Sequence, residues 1–177
     1  MIGNDIIDLQ LASRQSNWER PGFLEKQFTE EEIQLILQSK NSFEVVWRLW
    51  SMKEAVYKVI VQQCKKRFFA PKKLECKAFS DSEGQVLYEG IFFKVQTEFN
   101  SRYIYSVVGD SSFNWLKTKS ISEFFTEVER KLGYCSTLLH IEKNSLGIPN
   151  LFYGNEQVSS SFTKTHHGRF EAIEFIQ

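Results

Sequence analysis

Three cysteines, widely spaced and odd in number, are too few to build a disulfide framework, and Cys64, Cys76 and Cys135 form no CxxC metal pair. Such cysteine usage suits a reducing compartment. Long apolar runs are missing too: nothing approaches the roughly 18 to 20 consecutive apolar residues of a membrane-spanning helix. The opening MIGNDIIDLQLA puts Asp5 and Asp8 inside the only early apolar run, which spoils both a secretory signal and a transit peptide. A cytoplasmic protein with no membrane partner is expected. Net charge is absent, with 22 Lys plus Arg against 22 Asp plus Glu, so no overall field draws the molecule to nucleic acid, and any anion site must be local. Low-complexity segments and sequence repeats are lacking as well.

What is present is core material. A 42% hydrophobic composition with 16 Phe excludes a disordered chain, and 177 residues can bury one core or two half-domains sharing an interface. Ile2 to Leu9 reads as a strand, and residues 12 to 28 as irregular or partly helical, broken at Pro21-Gly22. Thr29 with Glu32 three residues on is a capping-box pattern, opening a helix to about Ser39. Ser42 is expected to cap a long helix to about Cys64, followed by the basic loop CKKRFFAPKK. LECKAFSD, QVLYEGIFFKVQTEF and YIYSVVGD read as strands, with turns at Ser82-Glu83-Gly84 and Asn100-Ser101, and with Phe92, Phe93, Tyr103 and Tyr105 in the core.

After Gly109-Asp110 the pattern restarts. Ser122 to Leu132 is an amphipathic helix, Leu138 to Ile141 and LFY are strands around the turn-rich NSLGIPN, and VSSSFTKT and RFEAIEFI are two more. The expected fold class is α+β, in two halves at 1–110 and 111–177, each a helix packed on an antiparallel sheet.

One charge stands in the wrong place. On a helical wheel at about 100° per residue, Phe43, Trp47, Trp50, Tyr57 and Val61 all lie near Glu54, so a carboxylate sits inside an apolar stripe. Buried and unpaired, it would be costly, so Glu54 must be protonated, paired or bound to a cation. A plain ion pair with Lys58 one turn on, worth about 0.3–0.5 kcal/mol, is the simple reading. The sharper one adds Asp5. Two carboxylates, from a strand and a helix, suit Mg²⁺, which takes one or two of them and leaves its other positions to water and phosphate. Lys53 and Lys58 would then meet the same phosphates. Asp8 is a weaker ligand because it points away from Asp5 along the strand.

IGNDIIDL, WSMKEAVYK, SLGIP and THHGRF together resemble the 4'-phosphopantetheinyl transferases. The first block resembles the family's Gly-x-Asp-Ile motif, and WSMKEA its W-x-x-K-E-A signature. The resemblance implies transfer of the phosphopantetheine arm of coenzyme A to a carrier-protein serine, with release of 3',5'-ADP. It implies Asp5 and Glu54 as Mg²⁺ ligands, with a third ligand open because Ile7 stands where the longer, surfactin-synthetase-activating type has a second carboxylate. Glu54 and Lys58 would be catalytic, and Lys53, Lys58, Thr165 and His166 would hold coenzyme A. His167 has no assigned role.

The SLGIP and THH motifs follow the Gly-x-Asp-Ile block, as in the short holo-acyl-carrier-protein synthases, and this implies both halves of a pseudo-dimeric fold in one chain, in swapped order. Such a chain builds its site internally and is expected to be a monomer, with a trimer as the alternative. Ile148 replaces a lysine common in the family's Gly-Lys-Pro, and either Lys164 or the Lys65-Lys66-Arg67 loop would compensate. Ile148 also supports a rival, a diverged non-catalytic protein that binds coenzyme A or a carrier protein. A nucleic-acid-binding module, suggested by KKRFF, is opposed by the zero net charge.

Overall fold

The stretch from Ser42 to Cys64 holds neither glycine nor proline and is one continuous helix of 23 residues. In the computed structural model, which describes residues 1–80, 82–109, 115–159 and 162–176, this helix lies across a five-stranded antiparallel sheet. In chain order the elements are β1 (Gly3–Asp8), α1 (Leu9–Gln15), α2 (Phe23–Gln27), α3 (Glu30–Gln38), α4 (Ser42–Cys64), β2 (Glu75–Phe79), β3 (Glu83–Tyr88), β4 (Ile91–Phe99), β5 (Tyr103–Val108), β6 (Trp115–Thr118), α5 (Ile121–Leu132), β7 (Leu139–Lys143), β8 (Pro149–Tyr153), β9 (Glu156–Ser159), β10 (Phe162–His167) and β11 (Phe170–Ile176). The large sheet runs β1-β5-β4-β3-β2, and two three-stranded sheets run β10-β11-β6 and β7-β8-β9. The architecture is α+β, although the second long helix, α5, has 12 residues against the 23 of α4.

Several boundaries move from their expected places. Asn41, not Ser42, caps α4 by accepting the Glu44 N–H, while the Ser42 hydroxyl donates to Ile36 O. The expected turn at 82–84 ends earlier, since Glu83 and Gly84 already pair with Gln96 and Val95. The run 85–99 is two strands, reversed at Glu89 and Gly90, both with positive φ. VSSSFTKT is likewise divided between β9 and β10, with Ser160 and Ser161 outside the described residues. The strand β6 carries no alternation that marked it. Phe92 is exposed at 59% rather than core, because it points off the face of β4 that α4 covers. The Thr29 capping box is present as expected.

Gly3 decides how closely β1 can approach α4. A Cβ there would lie 2.1 Å from Ala55 O and 2.9 Å from a Val59 methyl, so only glycine lets strand and helix backbones meet. With period-2 alternation, Gly3, Asp5 and Ile7 then face the helix and Asn4, Ile6 and Asp8 face away. Ile7 joins the core formed by Leu49, Met52, Val56 and Ile104. A separate cluster of Phe124, Val128, Leu151, Phe162 and Ile173 holds α5 on the two small sheets. Ile2, Ile6 and Tyr105 meet Ala172 between them.

The strands β1 and β10 run side by side in separate sheets, joined by side chains. Thr163 Oγ1 donates to Asn4 Oδ1 at 3.0 Å. Thr165 Oγ1 accepts the Ile6 N–H and donates to Asp5 Oδ1, both at 3.3 Å. His167 Nδ1 accepts the Asp8 N–H at 2.8 Å. Among the described residues, no helix is long and apolar enough to cross a membrane, and the three cysteines are free.

Candidate active site

The approach of β1 to α4 through Gly3 and Ala55 carries Asp5 to the side of Glu54, one residue before Ala55. Both line a cleft of about 380 Å³ with Trp47, Trp50, His166 and His167. Asp5 is mostly buried: Oδ1 accepts from Thr165 and lies 3.7 Å from Lys58 Nζ, and Oδ2 has no partner. Burial pushes the Asp5 carboxyl up, against the opposing pull of Lys58. Burial also pushes Glu54 up to about 7, and the negative charge of Asp5 adds to the effect. Two carboxylates of raised proton affinity, one with a buried oxygen lacking any donor, make a pair that is short of positive charge.

That shortage is the observation that tests the fit of a divalent cation, and the donor set suits one. Carboxylate oxygens are the ligands Mg²⁺ prefers, and two suffice when water and phosphate supply the rest. No group of three or more His, Cys, Asp or Glu able to hold a metal occurs among the described residues. Asp8 adds nothing, because its oxygens are committed. It caps α1 by accepting from Gln10 and Leu11, and it receives two side-chain bonds and the backbone N–H of Arg169. The Arg169 guanidinium holds the Asp8 carboxyl well below the usual range.

The lysines separate. Lys58 does not pair with Glu54, as the i,i+4 spacing suggested; its ion pair is with Asp5, and it donates to Asn4 O. Its side chain is 28% exposed and within reach of a ligand. Lys53 is 2% exposed and borders only the smallest pocket beside Glu54, not the wide cleft. Its three hydrogens go to Glu32 Oε2 at 2.7 Å, Gln27 O at 3.0 Å and Pro71 O at 3.1 Å, which leaves none for a phosphate. The expected phosphate role of Lys53 is therefore corrected to a structural one.

Thr165 is also turned inward. Its hydroxyl is shared between Asp5 and the backbone of β1, not offered to a nucleotide. His166, one residue on, points to the opposite side of β10 and is exposed at the cleft. His167 is the fixed member of the pair: with Nδ1 accepting from Asp8, the neutral ring carries its proton on Nε2. Sequence spacing alone did not find this, although the alternation of β10 places Thr163, Thr165 and His167 on one side.

Glu54 and Lys58 also border a second cleft, of about 150 Å³, between α4 and residues 146–149, with Arg67, Gly147 and Lys164 around it. Ile148 is buried in its wall, 7% exposed. A third, smaller pocket of about 90 Å³ separates Glu54 from Phe68, Phe69 and Pro71. Glu54 thus stands where three clefts meet.

The family model of the 4'-phosphopantetheinyl transferase superfamily matches residues 1–108, the stretch that holds Gly3, Asp5, Glu54 and Lys58. A solved structure of the holo-[acyl-carrier-protein] synthase of Thermotoga maritima is similar at 13% sequence identity and a TM-score of 0.47, over 89% of this chain and 84% of that one. No curated protein matches.

Proposed function

Because the chain belongs to the 4'-phosphopantetheinyl transferase superfamily, we propose that it moves the 4'-phosphopantetheine arm of coenzyme A onto a serine of an apo carrier protein, in a Mg²⁺-dependent reaction that releases 3',5'-ADP. The observation that carries this reading is the convergence of Asp5 and Glu54, short of positive charge, at the meeting point of a wide cleft and a cationic one. Asp5 and Glu54 would hold the ion, and Mg²⁺ would neutralise the pyrophosphate oxygens and favour departure of the nucleotide.

The rest of the chemistry belongs to the protein. The serine hydroxyl of the carrier attacks the β-phosphorus of coenzyme A; the new Ser Oγ–P bond forms as the bond to the bridging pyrophosphate oxygen breaks, and 3',5'-ADP leaves with that oxygen. As in other phosphoryl transfers, positioning and charge neutralisation supply most of the rate. Lys58 is within reach of the transferring phosphate, where its charge offsets the charge that develops. Glu54, beside the reacting phosphate, would take the serine proton as general base. Thr165 acts through Asp5, which it fixes by a hydrogen bond.

The test is to incubate an apo carrier protein with coenzyme A, Mg²⁺ and this protein, then weigh the carrier by mass spectrometry. The expected result is the gain of one phosphopantetheine arm. If no carrier protein from the same genome gains mass, the enzyme reading fails.

A further inference from the structure

The cationic cleft beside Glu54 holds three positive side chains, Lys58, Arg67 and Lys164, and they are not equivalent. Lys58 is answered by Asp5 at 3.7 Å and Lys164 by Glu171 at 2.7 Å. Arg67 has no carboxylate partner among the described residues. Its Nε donates to Leu146 O at 2.6 Å, which holds the guanidinium in place without cancelling its charge. The neighbouring Gly147 has φ +71°, and a Cβ there would lie 2.2 Å from Arg67 Nη2. The guanidinium therefore rests directly against bare backbone. A planar cation fixed through one nitrogen, with its Nη hydrogens left over, is the geometry that takes a phosphate by two parallel bonds.

Resting on the coenzyme A reading, we propose that Arg67 binds the 3'-phosphate of coenzyme A and is the residue that makes this chain distinguish coenzyme A from dephospho-coenzyme A. The pyrophosphate must lie at the reacting end, beside Asp5, Glu54 and Lys58. Arg67 borders the same cleft but is tied to residues 146–147, on the wall that faces α4. A phosphate monoester also carries close to two charges near neutrality, while each pyrophosphate group, being esterified, carries one. The cation left without a carboxylate gains most from the doubly charged group. Ile148, buried beside it, offers no competing charge.

The experiment compares coenzyme A with dephospho-coenzyme A by isothermal titration, using the full chain in Mg²⁺, for the wild type, Arg67→Gln and Arg67→Lys. The wild type should prefer coenzyme A by about 10- to 100-fold, the range expected for a charge-assisted contact. Arg67→Gln should lose most of that preference while its affinity for dephospho-coenzyme A stays within about threefold, and Arg67→Lys should keep part of the preference. Only the ratio tests the assignment, because a loop merely loosened by the substitution weakens both nucleotides alike. Equal weakening of the two, or an unchanged ratio, overturns the role of Arg67 and leaves the coenzyme A reading standing. If the wild type binds neither nucleotide, the coenzyme A reading falls and takes this assignment with it.

Discussion

Successive residues of α4 carry two ionic clusters that are built in opposite ways. Lys53 reaches one side of the helix and finds everything a buried ammonium needs: a carboxylate from Glu32 and the carbonyls of Gln27 and Pro71. Glu32 is equally well served, accepting from the Thr29 and Cys76 N–H groups besides Lys53. Glu54 reaches another side and finds a second carboxylate, an oxygen of which has no donor. A satisfied cluster fastens α3, β2 and the 71–73 turn to the helix. An unsatisfied one is retained at a cost to stability, and that cost is the mark of a site arranged for a ligand rather than for the fold.

The sharpest way to separate the two clusters is to neutralise each in turn. Glu54→Gln, or Asp5→Asn, should lower the initial rate of carrier modification by roughly a thousandfold or more with circular dichroism intact and no loss of melting temperature; transfer at the wild-type rate by either variant refutes the metal assignment. Lys53→Met should do the reverse, costing about 3–5 kcal/mol in urea titration because Glu32 is left buried and unpaired. Adding Glu32→Leu should recover only part of this, since the Thr29 and Cys76 N–H groups lose their acceptor.

Gly3→Ala tests the geometry that brings the unsatisfied cluster together. The added methyl must push β1 from α4, at about 1–3 kcal/mol of stability, and the Mg²⁺ concentration for half-maximal transfer should rise. An unchanged Mg²⁺ dependence would show that the spacing of Asp5 and Glu54 does not matter.

The smallest effect is on pH dependence. Glu54 ordinarily loses its proton near 4.5 and here holds it to about 7, so between those values the native state binds more protons than the unfolded one. Stability from this group is greatest below pH 4.5 and declines as pH rises through about 7. Calorimetry without Mg²⁺ should show that decline, by roughly a few °C. Glu54→Gln should reduce it, and Mg²⁺ should raise the melting temperature more at pH 8 than at pH 5.5. A wild-type decline that survives in Glu54→Gln at full size would assign it elsewhere.

The residues that read most clearly in the sequence were those whose signal is local or exceptional. The Thr29–Glu32 box is a local backbone motif, and Glu54 was conspicuous because nothing in an apolar stripe accounts for it. The role of Lys53 was not legible: its partners come from positions 27, 32 and 71, and no spacing along α4 reveals them. The Lys58–Asp5 pair was hidden for the same reason, since the i,i+4 rule sees only the helix. Phe92 misled because aromatic character marks a strand without saying which of its faces is covered. Gly3 was visible as a bend residue, but its use, close contact with Ala55, depends on a helix fifty residues away in sequence.

The seam between β1 and β10 has one more consequence. A backbone ladder is indifferent to sequence, since every residue except proline brings the same donor and acceptor. This seam relies on Thr163, Thr165 and His167 reaching Asn4, Asp5 and the N–H groups of Ile6 and Asp8, so the alignment of the two sheets is encoded in a handful of side chains. Each stitch can be removed or restored by a single substitution, which makes this joint, unlike those within either sheet, one whose fit is directly open to selection.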